Sequence, residues 1–233
     1  MNFAVICAGG KGIRMGHEKN KVFLKLGEKE IIALTIKAFE ETPEINGIII
    51  SAGKEDIKEI QEIVSREGFR KVKAVIEGGE KRQDSVWNGI KKLKGIAGKN
   101  NIIVIHNAAN PFVEKQTIQK CIKEAEKFGS AVAAQKVKDT IKRVDEDLMV
   151  KETLNRKELW QMQTPQAIIH HIAVKAFEKA FSENFYGTDD VQLVERIHGK
   201  IKIVECPYTN IKITTKEDYE TAKRMMKEKT ENT

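Results

Sequence analysis

Residues 3–15 read Phe3-Ala4-Val5-Ile6-Cys7-Ala8-Gly9-Gly10-Lys11-Gly12-Ile13-Arg14-Met15. An apolar run that stops at clustered glycines is typical of a buried strand followed by a loop that presents backbone N–H groups. Two cations lie inside this loop, and Lys21 follows closely. A polyphosphate needs both hydrogen-bond donors and fixed positive charge. The stretch therefore predicts a nucleotide site at the carboxyl end of the first strand of an α/β sheet.

The spacing of these glycines excludes two familiar nucleotide loops. A P-loop needs Lys-Ser or Lys-Thr after its glycines, and neither pair follows here. A dinucleotide loop needs G-x-G-x-x-G, but counting from Gly10 puts Met15 at the third glycine position. It also needs an acidic residue about twenty positions later. Glu28 and Glu30 lie near that distance within a predicted turn, so a dehydrogenase is disfavoured.

Composition narrows the class of protein further. The 233 residues are enough for one domain with its own core, and 40% apolar with 32% charged residues is a globular composition. No run of 18 apolar residues and no cleavable leader is present, so we expect a cytoplasmic protein without a membrane span. Three scattered cysteines fit neither a disulfide framework nor a zinc site.

The net charge of +7 raises the question of nucleic-acid binding. Lysines are interspersed with glutamates along predicted helices such as residues 55–67, which is typical of a solvated helix face. No aromatic side chains are interleaved with the cations. We therefore expect no nucleic-acid partner.

Apolar runs alternate with amphipathic stretches along the chain. Strands are predicted at residues 3–7, 47–51, 72–77, 102–106, 131–134 and 201–205, and helices at 31–41, 56–67, 86–93 and 117–128. This alternation predicts a Rossmann-like α/β fold, in which helices flank a mostly parallel sheet. The carboxyl ends of such strands share one edge, where ligands bind.

The segment 138–156 departs from this alternation of apolar runs and amphipathic stretches. Ile141 and Arg143 alternate before the acidic run Asp145-Glu146-Asp147, and a second alternating stretch follows it. The pattern predicts a β-hairpin with a polar turn. Because a two-stranded ribbon is marginally stable alone, we expect this protruding arm to pack on a second subunit. The chain is then one domain, 1–233, with the arm inserted at 138–156.

Three more stretches place polar residues after predicted strands. They are Glu77-Gly78-Gly79-Glu80 with a predicted helix N-cap at Asp84 or Ser85, His106-Asn107-Ala108-Ala109-Asn110-Pro111, and Tyr208-Thr209-Asn210-Ile211-Lys212-Ile213-Thr214. The last is predicted as an apolar strand. Its Lys212 either binds a phosphate or lies on an edge strand that faces water.

Together these stretches resemble the 2-C-methyl-D-erythritol 4-phosphate cytidylyltransferase family, from residue 4 to about residue 222. The resemblance rests on ordered blocks: Ala8-Gly9-Gly10-Lys11-Gly12-Ile13-Arg14-Met15, Glu77-Gly78-Gly79 with Arg82 and Asp84-Ser85-Val86, Asp139-Thr140-Ile141-Lys142-Arg143, Arg156, Leu159-Trp160, Thr164-Pro165-Gln166, Thr188-Asp189-Asp190 and Asn210-Ile211-Lys212-Ile213-Thr214. Members transfer a cytidylyl group from CTP to a polyol phosphate and release pyrophosphate. The resemblance also implies the fold of nucleotide-diphospho-sugar transferases.

The resemblance implies a role for each matching residue. The catalytic cations would be Arg14, Lys21 and Lys212. The nucleotide would contact Ala8, Gly9, Gly10, Lys11, Gly12, Gly79, Glu80, Ser85, Asn107 and Ala108. The acceptor would contact Asn107, Asn110, Thr140, Arg156, Thr164 and Lys212, with Arg156 supplied by the arm of a second subunit in a homodimer. Mg²⁺ would bind mainly through the CTP phosphates, with no metal ligand from the protein.

This chain departs from the family at three positions. The usual run H-D-[AS]-x-R-P has Asn107 for the aspartate and Asn110 for the arginine, and Thr209 replaces another aspartate. Three alternatives follow. Methylerythritol phosphate remains the acceptor, with Lys11, Lys138 or Lys142 compensating; another polyol phosphate such as ribitol 5-phosphate replaces it; or the chain binds nucleotide without efficient catalysis. The intact cations argue against the third alternative.

Overall fold

The structure is a computed structural model that describes residues 1–10 and 20–231. Its strands are β1 (Asn2–Cys7), β2 (Lys25–Leu26), β3 (Lys29–Glu30), β4 (Ile45–Ala52), β5 (Val72–Glu77), β6 (Ile102–Asn107), β7 (Ser130–Lys136), β8 (Lys142–Val144), β9 (Val150–Thr153), β10 (Trp160–Ile169) and β11 (Lys202–Glu205). Its α-helices are α1 (Ile31–Glu40), α2 (Ile57–Glu67), α3 (Arg82–Lys92), α4 (Lys115–Phe128), α5 (His170–Ser182), α6 (Asp190–Glu195) and α7 (Lys216–Glu231).

Seven strands form the central sheet in the order β11-β7-β10-β6-β1-β4-β5. Strand β10 runs antiparallel to both of its neighbours, and all other neighbouring pairs are parallel. The mostly parallel α/β sheet predicted from the alternation is therefore confirmed. Sequence reasoning missed β10 because residues 161–166 include three glutamines, a threonine and Pro165. The pairing with β7 is interrupted between Met162 and Gln166, where a bulge accommodates a residue without an N–H.

Two apolar cores lie on opposite faces of this sheet. Alternate residues of β1 contribute to each of them: Ala4 and Ile6 pack with α1, α2 and α4, whereas Phe3 and Val5 pack with α3, α5 and α6. Helix α3 lies so close to the sheet that a Cβ on Gly89 would be 2.4 Å from a Val5 methyl group. Burial on both faces explains why the central strands are continuous apolar runs.

Two local predictions are wrong. The segment around Lys212 is irregular backbone between β11 and α7 rather than a strand. Helix α3 begins at Arg82 with Lys81 as its N-cap residue, so neither Asp84 nor Ser85 is the cap. Asp84 instead accepts a hydrogen bond from the Lys81 backbone N–H. The cap lies earlier because the helix begins at Arg82, four residues before the first apolar residue, Val86.

The arm predicted at 138–156 is confirmed as a β-hairpin. Strands β8 and β9 pair with each other, and within the described part of the chain neither joins the central sheet. Asp145 organises the turn by accepting hydrogen bonds from the backbone N–H groups of Asp147 and Met149. The arm exposes Val144, Leu148, Met149 and Val150. Among the described helices, none has the length and apolar character to cross a membrane.

Candidate active site

A cleft of about 300 Å³ opens at the carboxyl ends of β1 and β6, beside the loop that follows β5. The described residues that line it are Cys7, Ala8, Gly9, Gly10, Lys21, Val22, Gly79, Glu80, Lys81, Arg82, Ser85, Asn107, Ala109 and Lys212. Most of the predicted nucleotide contacts and two of the three predicted catalytic cations are therefore brought together. Arg14, Lys11 and Gly12 lie outside the described residues.

The glycine pair after β5 is required by the first turn of α3. A Cβ on Gly79 would lie 2.2 Å from the Asp84 Cβ, and one on Gly78 would lie 2.7 Å from the Ser85 Oγ. The Gly79 N–H donates to the Ser85 Oγ at 3.0 Å. This wall of the cleft is therefore made of bare backbone, held against the helix by a buried hydroxyl group.

Arg82 links three elements at the side of the cleft. Its Nε donates to the Asn107 Oδ1 at 3.0 Å, and its two terminal nitrogens donate to the carboxylate of Asp190 at 3.0 and 2.7 Å. Burial opposes the charge on Arg82, but the charge and hydrogen bonds of Asp190, with smaller contributions from Cys7 and Asp189, together raise the pKa of the guanidinium. Arg82 and Asp190 are 108 positions apart in sequence, so no local signal indicates this pairing.

The side of the cleft predicted to hold the acceptor is a neutral hydrogen-bonded cluster. The Asn107 Nδ2 lies 3.3 Å from both the Asn110 Oδ1 and the Thr164 Oγ1, and donates to them. The Asn210 Nδ2 donates to the Thr164 carbonyl oxygen at 2.8 Å. Three members of the cluster are buried: Asn110, Thr164 and Asn210. Its fourth member, Asn107, is found in the described lining of the cleft.

The remaining predicted contacts lie elsewhere. Ala108 is buried beneath the cleft, and its N–H donates to the Cys7 carbonyl oxygen at 2.9 Å. Thr140 and Arg156 are exposed at the base of the arm and are missing from the described lining of the cleft. There the Arg156 guanidinium donates to the Lys138 carbonyl oxygen at 2.6 Å.

Two potential proton acceptors near the cleft are held in their neutral forms. Burial raises the pKa of the Cys7 thiol to about 12, although Arg82 and Lys212 act in the opposite direction. Burial lowers the pKa of His106 to about 4, and its Nε2 lies 3.1 Å from the Asn110 carbonyl oxygen. That contact requires the Nε2 to carry the proton and donate it. Neither group is suited to act as a base or nucleophile near neutral pH.

Lys212 is positioned by the anchored residues that follow it. The Ile213 N–H donates to the Ala109 carbonyl oxygen at 2.9 Å, and the Ile213 side chain is fully buried. Asp218, in the first turn of helix α7, accepts hydrogen bonds from the backbone N–H groups of Thr214 and Thr215. Lys212 therefore lies on irregular backbone, but the residues that follow it are anchored and hold it in the lining of the cleft.

A sequence profile described as IspD, 2-C-methyl-D-erythritol 4-phosphate cytidylyltransferase, matches residues 2–228. The chain belongs to this family. The cytidylyltransferase of Geobacter metallireducens is 41% identical over 97% of this chain and 98% of its own length. That of Clostridioides difficile is 42% identical over 97% and 94%, respectively.

Solved structures of the family have the same fold. The 4-diphosphocytidyl-2C-methyl-D-erythritol synthase of Anaerococcus prevotii superimposes with a TM-score of 0.84 at 30% identity, over 97% of this chain and 95% of that one. The 2-C-methyl-D-erythritol 4-phosphate cytidylyltransferase of Francisella tularensis gives a TM-score of 0.79 at 27% identity, over 97% and 100%. The family resemblance inferred from the motifs is therefore confirmed.

Proposed function

We propose that this chain transfers the cytidylyl group of CTP to 2-C-methyl-D-erythritol 4-phosphate, releasing pyrophosphate and forming a CDP-alcohol for isoprenoid synthesis. Family membership supports the reaction and its substrates. The observation that carries the proposal is the cleft itself. Lys21 and Lys212 line it and supply positive charge, and the backbone of Gly9 and Gly10 beside them is the source of hydrogen-bond donors.

In this reaction an oxygen of the acceptor phosphate attacks the α-phosphorus of CTP, and the bond to the bridging oxygen of the β-phosphate breaks. Negative charge then grows on the α-phosphate and on the leaving pyrophosphate. Lys21 and Lys212 stabilise that charge, because cations held in place beforehand need no reorganisation. The attacking phosphate is already anionic, so the reaction needs no general base. The neutral states of Cys7 and His106 agree with this.

Mg²⁺ is assigned to the triphosphate of CTP. Within residues 1–10 and 20–231, no group of three metal-ligating side chains could hold a metal ion. The position of the expected family aspartate is occupied by Asn107, which is already bonded to Arg82. Mg²⁺ bound to the phosphates would neutralise part of their charge, and the protein supplies Lys21 and Lys212 beside it.

The acceptor site is completed by a second copy of the chain. Thr140 and Arg156 are predicted acceptor contacts, yet both lie on the arm and outside the described lining of their own cleft. The exposed apolar side chains of the arm provide a surface for a homodimer. In this arrangement the arm of another copy supplies both residues. A cytoplasmic location stays a prediction.

Pyrophosphate release from CTP and Mg²⁺ tests the proposal, with 2-C-methyl-D-erythritol 4-phosphate, ribitol 5-phosphate or no acceptor. Release with the first acceptor alone is the expected result. Release with ribitol 5-phosphate alone would assign another acceptor to the Asn107 cluster. If neither acceptor supports release while CTP still raises the melting temperature, the chain binds nucleotide without catalysing the transfer.

A further inference from the structure

Asn20, immediately before Lys21, is 8% exposed and uses all of its side-chain hydrogen-bonding groups. Its Nδ2 donates to the Ala8 carbonyl oxygen and to the Asp56 Oδ2, each at 2.8 Å. Its Oδ1 accepts from the Val22 N–H at 3.3 Å and caps the short 3₁₀ helix Lys21–Phe23. A buried amide with every group satisfied holds one orientation.

These bonds tie Lys21 to the central sheet. Ala8 follows β1, and its N–H donates to the Ser51 carbonyl oxygen of β4 at 2.7 Å. Asn20 is twelve positions from Ala8 and 36 from Asp56, so both bonds join distant parts of the chain. On the other side of Lys21, Val22 is buried in the core beside α1. The backbone of Lys21 is therefore held by a polar contact before it and an apolar contact after it.

We propose that Asn20 is a positioning residue, which through Ala8 and Asp56 places Lys21 against the phosphates of CTP. The inference rests on the proposed function, because it assigns Lys21 to those phosphates. Asn20 itself is not among the described residues that line the cleft. Misplacement of a catalytic group by about 1 Å is enough to lower a rate by roughly a hundredfold. Asn20 is therefore expected to affect turnover as well as stability.

Asn20→Asp separates capping from positioning. An aspartate still accepts from the Val22 N–H, and it is an equally good cap. It cannot donate, and it brings a carboxylate against the Ala8 carbonyl oxygen and the Asp56 carboxylate. We expect kcat/KM for CTP to fall at least tenfold, while KM for the acceptor changes less than threefold. A purely structural role would lower the melting temperature and leave both constants unchanged.

The double variant N20D/D56N restores the link between the two positions with reversed polarity, because the amide introduced at position 56 can donate to the carboxylate introduced at position 20. We expect it to recover at least threefold of the lost kcat/KM. The matched control is Asn101→Ala. Its Oδ1 accepts from the Gly98 N–H at 2.7 Å, next to the amino end of β6 and away from the cleft. Asn101→Ala should keep kcat/KM for CTP within twofold of wild type.

Each outcome bears on the proposal. A folded N20D enzyme with wild-type kcat/KM overturns it, as does a double variant that recovers stability without activity. If N20D does not fold, Asp56→Ala keeps the bond to Ala8 and is expected to lower kcat/KM about threefold; no change contradicts the proposal.

Calorimetric titration with CTP separates this inference from the proposed function. A wild-type chain that binds CTP but transfers it to no acceptor contradicts the proposed function. The Kd for CTP then tests Asn20, and N20D is expected to raise it at least threefold, whereas an equal Kd refutes the positioning role. A wild-type chain that does not bind CTP overturns both.

Discussion

The two walls of the cleft are built in different ways. The nucleotide wall, named for its predicted role, consists of loops that follow β1 and β5 and includes the bare backbone of Gly9, Gly10 and Gly79. The acceptor wall, also named for its predicted role, joins Asn107, Thr164 and Asn210, which lie on β6, on the antiparallel β10 and in irregular backbone. The first wall follows from strand order and glycine packing, whereas the second depends on hydrogen bonds between distant side chains.

The walls also differ in how charge is distributed. Beside the glycine loop, Arg82 forms a two-point ion pair with the buried Asp190. On the acceptor wall, two asparagines and a threonine make longer, neutral hydrogen bonds of 3.3 Å. Charge-assisted hydrogen bonds are roughly twice as strong as neutral ones. Changes near Arg82 should therefore have larger effects than changes at Asn107.

The largest effect is expected when one of the two lysines that line the cleft, Lys21 or Lys212, is removed. Lys21→Ala and Lys212→Ala should each lower kcat by roughly 10²–10³-fold, because in the proposed mechanism each lysine supplies a fixed charge that stabilises the transition state. Steady-state pyrophosphate release measures this. Lys25→Ala is the control, since Lys25 is exposed on β2 and outside the described cleft lining. A wild-type rate for Lys21→Ala would show that the lysine plays no part in catalysis.

The next largest effect concerns the ion pair. Arg82→Ala leaves the carboxylate of Asp190 buried without its partner, which typically costs about 3 kcal/mol of unfolding free energy. Urea denaturation at pH 7 measures the loss. The control Arg143→Ala removes the exposed pair with Glu152 and should cost less than about 1 kcal/mol. Equal losses in both variants would show that burial does not set the strength of this pair.

A pH effect of similar size is expected from His106. Its pKa falls from 6.5 to about 4 on folding, so below pH 6.5 the unfolded chain takes up a proton that the folded chain does not. The contribution of neutral His106 to the free energy of unfolding is fully present above pH 6.5 and is lost as the pH falls towards 4. The loss reaches about 3 kcal/mol. Denaturation of wild type and His106→Gln at pH 7 and 4.5 measures it, and an identical decrease in both would contradict this assignment.

The smallest effect is expected on the acceptor wall, whose side-chain hydrogen bonds are neutral. Asn107→Asp loses two donated hydrogen bonds but gains charge beside the Arg82 Nε, so the unfolding free energy should change by less than about 1 kcal/mol. Activity measurements sharpen the comparison, because a carboxylate here restores the usual family residue. We expect kcat/KM for methylerythritol phosphate to stay within tenfold of wild type. A larger fall would mean that the amide at position 107 selects the acceptor.

The sequence predicted the sheet because its central strands are continuous apolar runs buried on both faces. It predicted the glycine loops because bare backbone at a strand end is visible in the residue order. It missed β10, whose glutamines and proline are accommodated by pairing with β7 and β6. It also misjudged the backbone of Lys212, since the apolar Ile213 faces a core made by α1 and α7 instead of a sheet.

Residue order alone therefore established the α/β class and the family and predicted the phosphate-binding loops, because these depend on local pattern and ordered motifs. Folding was needed to pair Arg82 with Asp190, to join Asn107 to Thr164 and to anchor Asn20 to Ala8 and Asp56. The physical reason is that side-chain hydrogen bonds act over about 3 Å in space, whatever the separation of their residues along the chain.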